Sequence, residues 1–195
     1  MEESIKLLRE GNYREAWERL TIILVGEPHN AIALRLKAIT AAQSGHTQEA
    51  LSLIKRAILI APEDPLNYSD SANMLGSAGA ADRAIENYQR AFTITPQNHI
   101  IYYNLANLLR DCGHFGKAVS NYKKSADLNP SDYRPYLNMG RLLKDQGNLL
   151  EAIKVQMRAI CFAPFAPELL ESLADFFRQD HNSSDAISWY ERALL

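Results

Sequence analysis

Cysteines and long apolar stretches are scarce in this sequence. Its two cysteines, Cys112 and Cys161, lie far apart in the 195 residues and form no CxxC pair. Neither a disulfide framework nor a zinc site is indicated, and a reducing compartment is favoured, so we predict a cytoplasmic protein. The longest apolar runs, such as Leu20 to Val25, fall far short of the roughly 20 residues that a membrane-spanning helix needs. We therefore expect no membrane insertion.

The chain also lacks an excess of one charge. It has 21 basic and 23 acidic residues, which give a net charge of −2. A protein that binds a phosphate backbone usually carries a basic excess, so no nucleic-acid partner is predicted.

Short motifs of catalysis are missing as well. The sequence has no HExxH, no GxSxG, no GxxxxGKS/T and no GxGxxG that opens a helix after a strand. None of the five histidines pairs with another at a helical ligand spacing. We therefore predict no catalytic residue, no metal site and no cofactor within these residues, and a protein that is not an enzyme.

What the sequence has instead is a period of 34 residues. Proline, glycine and alanine each recur at that interval, and chance does not produce such equal spacing. Each repeat of this kind is one supersecondary unit. The three columns are Pro28, Pro62, Pro96, Pro130 and Pro164; Gly11, Gly45, Gly79, Gly113 and Gly147; and Ala16, Ala50, Ala84, Ala118, Ala152 and Ala186.

Large apolar residues fill the columns between these small ones at three- and four-residue steps, which is helical periodicity. Glycine between two such stretches can supply the positive φ that ends the first helix, and proline stops the second helix. A single hairpin cannot bury its apolar face alone, so neighbouring hairpins stack into one core. The tyrosines of these columns are interpreted as core residues that pack between helices. One such column is interrupted by Gln156, and its other members are Leu20, Ile54, Tyr88, Tyr122 and Tyr190.

These columns resemble the tetratricopeptide repeat, with its large, small, glycine, alanine, aromatic and proline positions over 34 residues. The resemblance covers essentially the whole chain. It implies an all-α fold, a right-handed superhelical solenoid of about 12 helices in antiparallel pairs, with the first helix of each pair on the concave face.

The resemblance also predicts the boundaries. We expect a single array over 1–195, with a partial repeat at 1–30, full repeats at 31–64, 65–98, 99–132 and 133–166, and a partial repeat at 167–195. First helices are expected near 2–10, 31–44, 65–78, 99–112, 133–146 and 167–180. Second helices are expected near 13–25, 47–60, 81–94, 115–128, 149–162 and 183–194.

The last repeat lacks the polar capping helix with which a solenoid normally ends, because the sequence stops in the middle of the pattern. Two hypotheses follow. The chain is the N-terminal regulatory or substrate-recruiting region of a larger enzyme, of the glycosyltransferase, sulfotransferase or methyltransferase type. Alternatively, it self-associates into homo-oligomers through Trp189, Leu194 and Leu195.

The resemblance further implies a groove, lined by six inward-facing positions of each first helix. In repeat 31–64 the groove positions are apolar with one basic residue, Arg35. In the middle repeats they are polar and partly basic, and in the last repeat they are acidic. The groove residues expected to bind a partner are Asn73, Tyr103, Asn104, Asn107, Arg110, Arg134, Asn138, Arg141 and Lys144.

Asparagine is an informative residue on this surface. It costs roughly 0.5 kcal/mol relative to alanine in a helix interior, yet its amide donates and accepts as a peptide bond does. The stretches around Asn104 and Asn138 resemble the arrays of O-linked N-acetylglucosamine transferases, in which an asparagine ladder clamps the backbone of an extended peptide. The alternative is that these asparagines only brace neighbouring repeats.

The carboxylate clamp of heat-shock-chaperone cochaperones is a poorer match, since Ser69 stands in place of its first lysine and Asn138 in place of its last arginine. The basic residues Arg134, Arg141 and Lys144 either hold an acidic segment of a partner or pair with their own neighbours on a solvated surface.

Tyr103 is the tyrosine whose column faces the groove, and a groove tyrosine gives a large contact area at low entropic cost. It is our candidate for a binding hot spot. The function predicted is a protein–protein interaction scaffold that binds a partner peptide or protein segment in the groove.

Overall fold

The computed structural model describes residues 1–179 and 183–193, which contain α-helices and no strand. Consecutive helices form antiparallel pairs, as the periodicity predicts. Within the described ranges, no helix is long and apolar enough to cross a bilayer. The helices are α1 (Glu2–Arg9), α2 (Tyr13–Gly26), α3 (Ala31–Gln43), α4 (Thr47–Ile60), α5 (Pro65–Ser77), α6 (Ala81–Ile94), α7 (His99–Asp111), α8 (Phe115–Leu128), α9 (Arg134–Asp145), α10 (Leu149–Ile160), α11 (Pro167–Gln179) and α12 (Ser183–Ala193).

The residues at the helix ends explain these boundaries. Gly45 and its equivalents in the glycine column have φ between 76 and 82°, a left-handed conformation that glycine adopts without a Cβ penalty. Asn30, Asp64 and Asn98 each precede a first helix and accept a hydrogen bond from its backbone.

The predicted boundaries that fall on described residues are confirmed to within one residue, except at the end of α10. The predicted ends at residues 180 and 194 lie outside the described residues. That helix ends at Ile160 rather than at residue 162. The backbone N–H groups of Cys161 and Phe162 donate to carbonyls three residues earlier, so the last turn tightens and the α-helix stops early.

The chain forms two compact units, an N-terminal unit of residues 1–96 and a C-terminal unit of residues 97–195. In each unit the alanine column lies at the centre of the core. A methyl group occupies little space, so paired helices approach closely there while larger side chains fill the surroundings. The alanines of this column without any exposed surface are Ala16, Ala50 and Ala84 in the N-terminal unit and Ala118 and Ala152 in the C-terminal unit.

One core position of the C-terminal unit is polar. Gln156 takes the place that tyrosine holds at residues 88 and 122, and it is fully buried. Its Nε2 donates to Ser172 Oγ at 2.8 Å. A Cβ built on Gly140 would lie 2.8 Å from that Nε2 and 2.9 Å from Gln156 Cγ. The glycine therefore leaves the space that the glutamine side chain occupies.

Gly140→Ala is expected to destabilise the C-terminal unit by about 1–3 kcal/mol, because the added methyl group overpacks the core against Gln156. Gly116→Ala is the matched control, since a Cβ on that helical glycine meets nothing within 4 Å. Alanine there should raise stability by about 0.5–1 kcal/mol. Urea unfolding measures both changes. A Gly140→Ala variant as stable as the unmodified chain would contradict the close packing of Gly140 on Gln156.

Candidate functional site

Polar side chains of α7 and α9 share one surface of the C-terminal unit. Residues three and four apart lie on the same side of a helix. We call this surface the first-helix face, and its members are Tyr103, Asn104, Asn107 and Arg110 on α7 and Arg134, Asn138, Arg141 and Lys144 on α9.

Hydrogen bonds through Asn138 join the two helices. Its Nδ2 donates to the Tyr103 hydroxyl and to Asn107 Oδ1, both at 3.1 Å. Asn107 Oδ1 also accepts from the Tyr122 hydroxyl at 2.6 Å, and the rings of Tyr103 and Tyr122 lie 6.1 Å apart. We call these four residues the tyrosine–asparagine cluster. Because its members share acceptors and donors, the cluster holds side chains of neighbouring repeats in one arrangement.

The interpretation of Tyr88 and Tyr122 as core residues is confirmed, since they are 1% and 0% exposed. That interpretation missed their hydroxyls, which donate to Asn73 and Asn107, each 15 residues earlier in the chain. Burial raises the pKa of both hydroxyls, to about 12 for Tyr122. Two second helices therefore each present a hydroxyl to an asparagine on the preceding first helix.

A signal for this contact is present in the sequence. In the repeats that lack the tyrosine, the asparagine 15 residues earlier is absent too. Residues 39 and 54 are both isoleucine, and residues 141 and 156 are arginine and glutamine. The paired occurrence of tyrosine and asparagine would have predicted the hydrogen bond.

Asn104 differs from the other asparagines of the first-helix face. It lies half-buried on α7 beside Tyr103, and its side-chain amide forms no hydrogen bond within residues 1–179 and 183–193. The contacts of Asn107 and Asn138 agree with the alternative that these asparagines brace neighbouring repeats. Asn104 instead keeps a donor and an acceptor available.

Most cations of the first-helix face are paired with carboxylates. Arg134 also lies 5.2 Å from the ring centroid of Tyr103, so it covers one face of that ring. Arg141, in contrast, forms no ion pair with any residue that the structure describes. The paired cations are Arg110 with Asp111 at 2.8 Å, Arg134 with Asp132 at 2.6 Å and Lys144 with Asp145 at 3.6 Å.

A cavity of about 220 Å³ lies beside Arg141 and Lys144. Glu171 and Asp175 of α11 line it as well, in agreement with the acidic last repeat of the sequence. Lys144 Nζ lies 5.9 Å from the ring centroid of Phe176 in the same cavity. A basic side from α9 thus meets an acidic side from α11.

In the N-terminal unit, Arg35, the basic residue of the apolar groove positions of repeat 31–64, forms an ion pair with a carboxylate of the following repeat. Arg35 Nη1 donates to Asp70 Oδ2 at 3.1 Å, and their side chains are only 15% and 21% exposed. Burial raises the pKa of Asp70, although Arg35 opposes that effect. Asp70 and Asn73 line a cavity of about 410 Å³ in this unit. Asn73, an expected groove residue, therefore lies at this cavity.

The first-helix position Ser69 is buried. It is 5% exposed, and its helix α5 contacts the preceding first helix α3. Ser69 is thus covered at the place where a carboxylate clamp has its first lysine.

The residues proposed for self-association are only partly described. Trp189 is half-buried on α12, while Leu194 and Leu195 lie outside the described residues. Within residues 1–179 and 183–193, no three His, Cys, Asp or Glu side chains gather as a metal ion would require. Cys112 and Cys161 are exposed free thiols.

Comparison with protein families identifies the class. A model described as "TPR repeat" matches residues 72–110, and models described as "Tetratricopeptide repeat" match residues 2–65, 100–132 and 133–164. The chain belongs to the tetratricopeptide repeat proteins, which act as protein–protein interaction scaffolds. No curated protein sequence matches it.

Solved structures share the fold at low identity. PilW, described as a widely conserved type IV pilus biogenesis factor, is 17% identical with a TM-score of 0.82, over 96% of this chain and 87% of PilW. MamA from Desulfovibrio magneticus is 17% identical with a TM-score of 0.68, over 84% and 93%. YrrB, described as a TPR protein with an unusual peptide-binding site, is 16% identical with a TM-score of 0.62, over 90% of each chain.

The pKa of Tyr122 generates a prediction for alkaline solution. The folded-state pKa of about 12 lies above the ordinary value of 10, so between these pH values the folded chain keeps a proton that the unfolded chain has lost. Stability should therefore fall as pH rises through this window, by up to about 1.4 kcal/mol per pH unit. Tyr122→Phe removes this contribution, and urea unfolding across the window should show a flatter pH dependence.

Tyr68→Phe is the control, because the Tyr68 hydroxyl forms no hydrogen bond within the described part of the chain. At neutral pH, Tyr122→Phe should also cost about 0.5–1.5 kcal/mol, since it deletes the hydrogen bond to Asn107. Parallel pH curves for Tyr122→Phe and the unmodified chain would show that the hydroxyl is not held protonated by burial.

Proposed function

We propose that this protein binds an extended segment of a partner protein on the first-helix face of its C-terminal unit. Asn104 is the observation that carries the proposal. Among the residues that the structure describes, no side chain or backbone group bonds its amide, whereas the amides of Asn107 and Asn138 on the same surface are bonded. Such an amide can donate to a peptide carbonyl and accept from a peptide N–H at once. A partner backbone would satisfy both groups.

The tyrosine–asparagine cluster supports the proposal through preorganisation. The Tyr103 hydroxyl accepts from Asn138 and retains its own hydrogen for donation to a partner. Its ring is held between Arg134 on one face and Tyr122 at 6.1 Å. A side chain already fixed before binding loses little conformational entropy in the complex. Tyr103 therefore serves as a rigid contact beside the Asn104 amide.

The charges of the first-helix face favour one acidic contact. Arg141 is free to take a carboxylate of the partner, in a bidentate arrangement that guanidinium groups form readily. Arg134 and Lys144 are already bonded to Asp132 and Asp145, so a partner would have to displace those carboxylates. We expect a single acidic residue of the partner near Arg141 rather than a long acidic segment.

Two similarities agree with a peptide ligand. YrrB, whose fold this chain shares, is described as having a peptide-binding site. The residues around Asn104 and Asn138 also resemble the peptide-clamping arrays of O-linked N-acetylglucosamine transferases. The proposal contains no catalytic step, and the cytoplasmic location stays a prediction from the cysteine content.

Asn104→Ala is expected to weaken binding about three- to tenfold, because one or two hydrogen bonds to the partner backbone are lost. The probe is a peptide selected against the unmodified chain from a random library, and affinity is measured by fluorescence anisotropy. The free energy of unfolding should change by less than about 0.5 kcal/mol, since the Asn104 amide holds nothing in the free protein.

Two further variants sharpen this test. Asn121→Ala on the second helix α8 removes an amide that donates to the carbonyl of Lys117 on its own helix, so affinity should not change. Asn138→Ala should lower stability and affinity together, because Asn138 joins α9 to α7. Undiminished affinity in Asn104→Ala would remove the observation on which the proposal stands.

A further inference from the structure

The cavity of about 410 Å³ in the N-terminal unit has two kinds of wall. Ile39, Ala42 and Met74 supply an apolar part, while Gln43, Asp70 and Asn73 supply a polar part. The residues come from the two successive first helices α3 and α5. A side chain with an apolar stem and a polar end would match both walls.

The Asp70 carboxylate is incompletely bonded in this cavity. Its Oδ2 accepts from Arg35, whereas Oδ1 accepts no hydrogen bond within residues 1–179 and 183–193. Arg35 does not line the cavity, and Asp70 does. Of the two residues in the ion pair, Asp70, the hydrogen-bond acceptor, is therefore the one that an incoming group would meet in the cavity.

The charge balance around Asp70 also favours a second cation. Burial is the larger effect on the Asp70 carboxylate and raises its pKa, Arg35 opposes that rise, and Asp64 adds to it through its negative charge. Among the residues that line the cavity, Asp70 is the charged one, and neither lysine nor arginine lines it. An incoming cation would stabilise the ionised Asp70, whereas an incoming carboxylate would be repelled.

We infer that this cavity receives a lysine or arginine side chain of a partner segment bound to the N-terminal unit, with the aliphatic stem on Ile39 and Met74 and the cationic end on Asp70 Oδ1. The inference rests on the proposed function, because it requires a protein that binds peptide segments. It adds a specificity for one basic residue. Asn73 also lines the cavity, and its Oδ1 accepts from the Tyr88 hydroxyl, so its Nδ2 group is the part of this amide that could donate to a partner carbonyl.

The test uses a positional-scanning library of short, acetylated and amidated peptides, in which one position at a time is lysine, arginine, norleucine, citrulline or glutamate. Norleucine and citrulline keep the stems and remove the charges. For the unmodified chain, one library position should prefer lysine or arginine over its neutral counterpart by about tenfold, as a charge-assisted hydrogen bond implies. Glutamate at that position should bind worst.

Three variants assign the preference to the carboxylate. Asp70→Asn should reduce it to less than about twofold while peptides with norleucine bind as before. Arg35→Gln with Asp70→Asn should give the same result without leaving a buried arginine unpaired, which guards against misfolding. Asp82→Asn, an exposed aspartate on α6, should keep the full preference.

The outcomes separate this inference from the function on which it rests. Peptides that bind without any basic preference, or a preference that survives both Asp70 variants, overturn the basic-residue pocket and leave the peptide-binding proposal standing. Failure of every library peptide to bind the unmodified chain overturns both.

Discussion

The close approach of paired helices at small side chains is the constraint on which both units depend. Alanine at the centre of each pair is fully buried, and a larger residue there would push the helices apart. That short distance lets a tyrosine on a second helix reach through the pair to the preceding first helix, as Tyr122 does to Asn107. Where Gln156 replaces the tyrosine, Ala152 keeps its place, but residue 140 is glycine, whereas the equivalent residues Ala38, Ala72 and Ala106 are alanine. The side chain of Gln156 occupies the space that a Cβ at residue 140 would take. The position of Asn107 on the first-helix face thus depends on a contact with a tyrosine of the core.

Much of the fold could be predicted from the sequence because the 34-residue pattern recurs several times along the chain. A glycine such as Gly45 marks the end of a first helix through its positive φ, and an asparagine such as Asn30 caps the next one. These are local effects of single residues, so the helix boundaries follow to within one or two positions. The early end of α10 was not predictable in this way, because no residue of the repeating columns changes where its last turn tightens.

The candidate site was less predictable, because hydrogen bonds and ion pairs depend on distances between helices. Arg35 and Asp70 are 35 residues apart, so no helical spacing suggests that they form an ion pair. Asn104, Asn107 and Asn138 look alike in sequence, yet among the described residues only the last two form side-chain hydrogen bonds. The family resemblance predicts one face for all three, and the contacts distinguish a side chain that braces the repeats from one that is available to a partner.

The proposed function places a partner segment across the first-helix face at Asn104. A benzoylphenylalanine at residue 100, one helical turn before Asn104 on α7 and exposed, tests this placement by photocrosslinking and leaves the Asn104 amide intact. The same group at residue 121 on the second helix α8 is the reference. Crosslinks from residue 100 should map to one extended stretch of one partner, and residue 121 should give none to that stretch. Crosslinks to the partner from residue 121 alone, or equally from both positions, would contradict the proposed function.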